Sequence, residues 1–233
     1  MSEHAPVEPG QVLPATELVR DRIARRWEGL NERVQAKVQS ISGLDRTPEV
    51  RLIQQASSAG TVTKRVSWLR KAADHVHAGA AHLAACRKGC AHCCHIAVTI
   101  SRAEAQVIAR ETGAKLNPKA GVFSMADSED FGEAFKQATS GAVGKPCTFL
   151  TEGSCSIYAH RPLECRLLLN LDDDDLLCQL VEGSATNVPY LDARQHHVAS
   201  VAILGQHQDY DDIRNWFPQG RANDTPSTQH KAD

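Results

Sequence analysis

Cys86-Arg87-Lys88-Gly89-Cys90-Ala91-His92-Cys93-Cys94-His95 is the stretch around which this 233-residue chain is organised. Half of its eight cysteines fall here, beside two histidines. A helix through the stretch would set Cys86, Cys90, Cys93 and Cys94 at i, i+4, i+7 and i+8, with their thiols on one stripe. Neighbours on a helix point about 100° apart, so Cys93 and Cys94 would not chelate one ion together. One of them would face a second ion or a bridging position. A second block, Cys147 to Arg166, supplies Cys147, Cys155 and Cys165, and Cys178 follows. The rest of the chain reads as the scaffold that brings the two blocks together around metal.

Composition limits the setting. Apolar residues make up 42% and charged residues 23%, as in an ordinary globular protein, and aromatics only 5%, so the core rests on aliphatic side chains. A formal net charge of -2 gives no global attraction to nucleic acid or to an anionic membrane, and neither partner is expected. No apolar run approaches the ~20 residues of a membrane-spanning helix. The first residues lack the basic-then-apolar plan of a signal peptide, so the expected location is cytoplasmic. In reducing cytosol, clustered thiols serve metals or redox chemistry more often than disulfides. A bridge between adjacent Cys93 and Cys94 would also be strained.

Five segments follow from the pattern. Residues 1–15, with three prolines and a glycine, read as a disordered arm. Residues 16–85 form a helical N-terminal segment. Val19, Ile23, Trp27, Leu30, Val34, Val38 and Ile41 make one apolar stripe along a first helix that Gly43 stops. That stripe packs on this domain or on a protein partner. Arg20, Arg22, Arg25 and Arg26 form a basic, solvated patch on it. Thr47-Pro48-Glu49 starts a second helix, with Thr47 as N-cap. A third runs from about Thr61 towards Cys86. Residues 86–180 form the cysteine-cluster metal-binding domain. Within it, Ser101-Arg102-Ala103-Glu104 is a capping box for a helix that Gly113 ends. Ser128, with Glu129 and Asp130 behind it, starts a short helix. Glu152-Gly153-Ser154 is a tight turn between two strands carrying Cys147 and Cys155. Residues 181–222 form a C-terminal helical segment whose last helix begins at Pro189, with Leu191, Val198, Val201, Ala202 and Leu204 inward. Residues 223–233 read as a disordered tail. The fold class is mainly α (α+β): a helical N-terminal segment packed on a small cysteine-rich module with a short β-hairpin.

Soft metals favour deprotonated sulfur. Four thiolates satisfy a tetrahedral zinc ion or an iron–sulfur cluster, and short spacings let two ligands come from one turn at little entropic cost. Cys86-x3-Cys90-x2-Cys93 also has the spacing by which radical S-adenosylmethionine enzymes hold a [4Fe–4S] cluster. The β/α alternation of those enzymes is missing here, so their fold is not expected. The candidate metal ligands are Cys86, Cys90, Cys93, Cys94, Cys147, Cys155, Cys165 and Cys178. Eight thiols could fill two four-sulfur sites, or one site with several supporting thiols.

These motifs resemble the YkgJ-type cysteine-cluster family of zinc- or iron-chelating domains. The resemblance rests on Cys86-x3-Cys90-x2-Cys93-Cys94, Cys147-Thr148-Phe149-Leu150, Gly153-Ser154-Cys155-Ser156-Ile157-Tyr158, Arg161-Pro162-Leu163-Glu164-Cys165-Arg166 and Cys178. It covers residues 86–178. Thr148 stands where the family often has proline, and Ala91 where it often has glycine. The resemblance implies metal chelation. It implies no settled reaction, although one branch, the flagellin lysine methylases, pairs a similar cluster with methyl transfer.

Other residues are weaker candidates. Arg161 and Arg166 could offset the charge of about −2 on a four-thiolate zinc site, or form surface ion pairs. Tyr158 is expected in the core. His92 and His95 are borderline ligands, whereas His75, His77 and His82 read as exposed, and His196-His197 lacks ligand spacing. Asp172 to Asp175 lacks the glycine and distal glutamate of a calcium loop and reads as a solvated acidic loop. Three functions stay open: a protein chelating zinc or iron, including an iron–sulfur cluster; a cluster-dependent redox or methyl-transfer enzyme; and a partner-binding module with a structural metal.

Overall fold

The structure, a computed structural model, describes residues 7–87, 89–121, 123–124, 126, 130–183, 186–205 and 207–220. The expected tail, the first six residues of the expected arm, Ser128 and Glu129 lie outside the described residues. In chain order the elements are β1 (Val12–Leu13), α1 (Glu17–Trp27), α2 (Leu30–Ser42), α3 (Thr47–Ser58), α4 (Val62–Ala80), β2 (Thr99–Ser101), α5 (Arg102–Thr112), β3 (Phe123–Ser124) and α6 (Phe131–Thr139). They continue with β4 (Leu150–Thr151), β5 (Ser154–Cys155), α7 (Leu163–Leu167), β6 (Leu180–Val181), α8 (Arg194–Leu204), β7 (Asp209–Asp212) and α9 (Ile213–Trp216). The protein is mainly α, with small sheets around a cysteine-rich module. Among the described residues no helix is long and apolar enough to cross a membrane.

Two cores carry the elements. One lies among α3, α4, α5, α7 and α8 and holds Val66, Leu69, Val107, Leu163, Leu167 and Leu204. The other holds Val98, Ile100, Ile108, Phe149, Ile157, Trp216 and Phe217, with Cys147, Cys155 and Cys165 packed against it. Helix α5 spans both. Half of the expected capping box forms: the Ser101 hydroxyl accepts the Glu104 N–H at 3.2 Å, while the Glu104 carboxylate accepts the Leu163 N–H at 3.0 Å, and Gly113 closes the helix in the left-handed region. The hairpin β4–β5 forms, with Glu152 and Gly153 both at positive φ in its two-residue turn, but it carries Cys155 alone, since Cys147 lies before β4.

Several expectations are corrected. The first helix breaks after Trp27, because Glu28 is extended and Gly29 turns left-handed at φ +65°, a conformation that costs glycine little. The α3 cap shifts by one residue: Arg46 is the N-cap, and the Asp45 carboxylate accepts the Thr47 N–H at 2.9 Å. Helix α4 stops at Ala80, and a 3-10 turn over Ala81–Leu83 follows. Residues 86–87 and 89–91 are therefore not helical, and His92–His95 form a 3-10 turn, so the four thiols do not lie on one α-helical stripe. Helix α6 is capped by Asp130, whose carboxylate accepts the Glu133 N–H. Helix α8 starts at Arg194 rather than Pro189, and Val198 on it is exposed.

Two further differences bear on the site. Val12–Leu13, inside the expected arm, pairs in parallel with Leu180–Val181. Just before it, Gly10 lies so close to the His95 imidazole that a Cβ there would overlap the ring. Second, the C-terminal segment contains β7, the middle strand of an antiparallel sheet ordered β2-β7-β3. Its sequence, Asp-Tyr-Asp-Asp, has poor strand propensity. Specific bonds compensate: Asp209 accepts from Arg102 at 2.6 Å, Asp211 from the Gly121 N–H at 3.0 Å, and Asp212 from the Val98 N–H at 2.8 Å.

The acidic run is paired rather than solvated. Asp172 is fully buried and accepts from Arg26 at 2.7 Å, with Arg33 at 3.7 Å. Asp173 pairs with Lys37 at 2.8 Å and Arg33 at 3.3 Å, and Asp174 with Arg26 at 3.2 Å. The basic residues of α1 and α2 thus dock this helix pair onto the cysteine module. Asp172→Ala should lower the unfolding free energy by about 3 kcal/mol, because it removes the buried carboxylate that Arg26 and Arg33 share. Asp173→Ala, at a half-exposed carboxylate, should cost under about 1 kcal/mol in the same urea titration. Equal effects would contradict the docking role of Asp172.

Candidate metal centre

The two cysteine blocks are held side by side by their backbones. The Cys147 N–H donates to the Cys94 carbonyl at 2.7 Å, and the Gly144 N–H to the His95 carbonyl at 2.7 Å. Arg214, from the start of α9, crosses the same seam. Its Nη2 donates to the carbonyls of Cys94 at 2.9 Å, Ile96 at 3.0 Å and Lys145 at 2.8 Å, and its Nη1 pairs with buried Asp212 at 3.0 Å. One planar guanidinium therefore ties together the chain on both sides.

All eight cysteines are free thiols and partly buried. Their mutual electrostatic influence sorts them into two groups. Cys178 feels Cys86, Cys90 and Cys93, and Cys86 feels Cys90 and Cys93. Cys94 feels Cys147 and Cys165, while Cys165 feels Cys147, Cys155 and also Cys93. Cys86, Cys90 and Cys178 thus lie within range of one another's charge, as do Cys94, Cys147, Cys155 and Cys165, and Cys93 lies within range of both sets. Among the described residues, no three His, Cys, Asp or Glu side chains are gathered closely enough to hold a metal ion as they stand.

Hydrogen-bond donors reach several of the sulfurs. A backbone N–H two residues downstream donates to each of three sulfurs: His92 to Cys90, Phe149 to Cys147 and Ile157 to Cys155. Asn170 serves two more, its N–H reaching Cys86 Sγ at 3.4 Å and its Nδ2 reaching Cys178 Sγ at 3.3 Å. The Cys94 thiol donates to Cys93, which lowers the Cys93 pKa to about 7 and pushes that of Cys94 up. Burial raises the pKa of Cys86, Cys90, Cys147, Cys155, Cys165 and Cys178, so a cation is needed to make all of them thiolates at once. Arg161 supplies part of that charge, acting on Cys86, Cys93 and Cys155. Its Nε is buried without a hydrogen-bond partner, an unmet donor beside the thiols. These donors and this charge deficit fit a bound cation with sulfur ligands.

Other candidates fall differently. Tyr158 is exposed and stacks on Arg161 at 4.2 Å, rather than lying in the core. Arg166 is buried but turned away from the thiols, pairing with Asp74 and donating to the Ala159 and Arg161 carbonyls. His77, expected at the surface, is half-buried against the Arg166 carbonyl at 2.9 Å. His92 and His95 are buried beside the cysteines. His92 lies 3.5 Å from Asp175, and His95 is fixed by the Ala91 carbonyl at 3.0 Å.

Asn170, Tyr190 and Arg214 went unrecognised in the sequence. Asn170 carried a signal: it is the one polar residue in Leu167-Leu168-Leu169-Asn170-Leu171, and it is almost fully buried. Tyr190 pairs with Asn170 in an isolated β-bridge, and burial followed by the charges of Cys178, Cys93, Cys86 and Cys90 raises its pKa. Neither Tyr190 nor Arg214 has a local sequence signal.

Residues 85–179 match the family model CxxCxxCC, described as "Putative zinc- or iron-chelating domain". No curated protein and no solved structure matches the chain at a significant level. Tyr190 and Arg214 lie outside the matched segment and nevertheless border the thiols. Arg214→Ala should destabilise the protein by about 3 kcal/mol, since it leaves the buried Asp212 carboxylate unpaired. Arg214→Lys should recover less than half of that loss, because one ammonium cannot span three carbonyls and a carboxylate. Full recovery by lysine in a chemical-denaturation series would show that charge alone matters there.

Proposed function

Taking residues 85–179 as a member of the CxxCxxCC family, we propose that this segment is a thiolate metal centre that holds zinc or iron in two sulfur sites joined at Cys93. The observation that carries the proposal is the convergence of thiols from separate segments of the chain into two groups, with amide donors already directed at five of the sulfurs. In this reading Cys86, Cys90 and Cys178 supply one site, and Cys94, Cys147, Cys155 and Cys165 supply the other. Cys93 completes the first and lies within reach of the second.

The chain's own groups then have definite tasks. The His92, Phe149 and Ile157 N–H groups and Asn170 orient sulfurs and lower their basicity. Arg161 offsets the negative charge of a thiolate cluster, and Arg214 keeps the two cysteine blocks in register. Bound zinc would supply structural cross-linking, and bound iron, alone or as an iron–sulfur cluster, would add electron transfer.

Separate sites make separate losses. Cys90→Ser and Cys155→Ser should each lower the metal content of the full chain by about half, and the double variant should hold almost none. Metal analysis after anaerobic purification reads the outcome directly. Iron–sulfur occupancy would give a brown protein absorbing near ~400 nm, and zinc a colourless one. Unchanged stoichiometry in both single variants would overturn the proposal. Complete loss in either one would replace two sites with a single shared one.

A further inference from the structure

A cavity of about 530 Å³ opens between the end of α2, the end of α4 and the paired chain at Leu171 and Leu191. It follows from the way α2 is held. Of the residues of α2, only Leu30 is buried. The helix docks through charge: Lys37 pairs with Asp173 at 2.8 Å and donates to the Asp172 carbonyl at 2.9 Å. Val38 and Ile41 face the cavity, and α4 presents Val76 and then two small residues, Ala78 and Gly79, on its other side. Leu44, from the turn after α2, closes on Gly79, where a Cβ would stand 2.7 Å from Leu44 Cδ1. The rest of the gap stays open. Its volume lies within the ~300–1,000 Å³ of small-molecule sites.

The charges around this space are already matched. Arg46 donates to both oxygens of Glu49 at 2.7 Å, and His196 Nε2 faces Glu49 Oε1 at 2.8 Å. Arg194 holds Asp192 bidentately at 2.9 and 2.6 Å. Asp45 accepts the Thr47 N–H at 2.9 Å and stands exposed at the rim with His75. An ion entering the interior would give up its hydration and find each buried charge engaged, which is costly. The remaining surface is apolar, from Val38, Ile41, Leu44, Val76, Leu171 and Leu191. Leu171 is 1% exposed and forms the floor, whereas Val38 at 43% and Leu44 at 39% mark the mouth. Apolar walls that face a gap lack partner atoms on one side, and an apolar guest supplies them.

We propose that this cavity binds an uncharged small molecule with an apolar ring system, its body against the aliphatic walls and any polar substituent turned to the open rim. Charge is the basis of selection: cations and anions of the same shape are both disfavoured. The site is separate from the thiol centre. Successive side chains of extended chain point to opposite faces, so Leu171 lines the cavity while the neighbouring Asn170 reaches Cys178 Sγ at 3.3 Å. Binding therefore does not depend on which metal the thiols hold.

The test titrates the full chain, purified with its metal, by calorimetry at neutral pH against three probes of one shape: naphthylethanol, naphthylethylamine and naphthylacetate. The alcohol should bind saturably at one site and at least about tenfold more tightly than either ion, because neither charge gains a partner inside. Methyl resonances of Ile41, Val76, Leu171 and Leu191 should shift as the alcohol is added, and those of Val66 and Leu69 in the neighbouring core should stay in place. Val38→Trp, at the partly exposed mouth, should keep the wild-type circular dichroism and weaken the alcohol by about tenfold or more, since it fills the space the guest needs. The proposal is overturned by no saturable binding of the alcohol, by an ion binding as tightly, by shifts confined to other methyl groups, or by binding that survives Val38→Trp.

Discussion

The contact on which the site depends is the seam between Cys94 and Cys147. A cysteine cluster made from distant segments needs its ligands within a few ångströms of one another before any metal arrives, or the ion must supply the whole entropic cost of closing the loops. Here the Cys147 N–H bonded to the Cys94 carbonyl sets the approach, and Arg214 fixes it from outside by bonding carbonyls on both sides. The clamp is itself anchored. Its partner Asp212 is buried, accepts the Val98 N–H and caps α9, and Trp216 on the same helix donates to the Ile100 carbonyl at 3.2 Å. Removing the clamp would therefore disturb the core that backs Cys147, Cys155 and Cys165 as well as the ligands.

A second device works on the other group of thiols. Asp172, Asp173 and Asp174 hold the α1–α2 pair, while the next carboxylate, Asp175, reaches Arg87 at 3.1 Å and His92 at 3.5 Å in the first cysteine block. Cys178 follows three residues later. The acidic run is thus a clasp between the N-terminal helices and Cys86 to Cys94, and it delivers Cys178 at its end. Strand β1 and Gly10, lying over His95, add a strap from the N-terminal side. The matched family segment holds every cysteine, yet its enclosure comes largely from residues on either side of it.

Much of this was legible where the signal is local. The eight ligand candidates, the β-hairpin and the Ser101–Glu104 cap are written in short-range patterns whose physics needs no tertiary context. The failures have one cause. Asp172 and Arg26 are 146 residues apart, so an acidic run and a basic helix face each look solvated until the fold joins them. Strand β7 falls within the expected C-terminal helical segment, because its carboxylates are satisfied by Arg102, Gly121 and Val98, all distant in sequence. The helical reading of residues 86–94 failed for the same reason: alanine-rich α4 could continue on propensity alone, but the chain is drawn away where the Ala85 N–H bonds the Asn170 carbonyl at 2.8 Å. In the 3-10 turn that replaces the helix, the adjacent thiols of Cys93 and Cys94 do not point apart: the Cys94 thiol donates to Cys93.

The central claim is that sulfur, gathered from both cysteine blocks, binds the metal. X-ray absorption at the edge of the metal carried by the full chain measures its ligands directly. The account predicts a first shell of about four sulfur atoms at ~2.3 Å, with no more than one nitrogen or oxygen. A shell dominated by nitrogen or oxygen would contradict it.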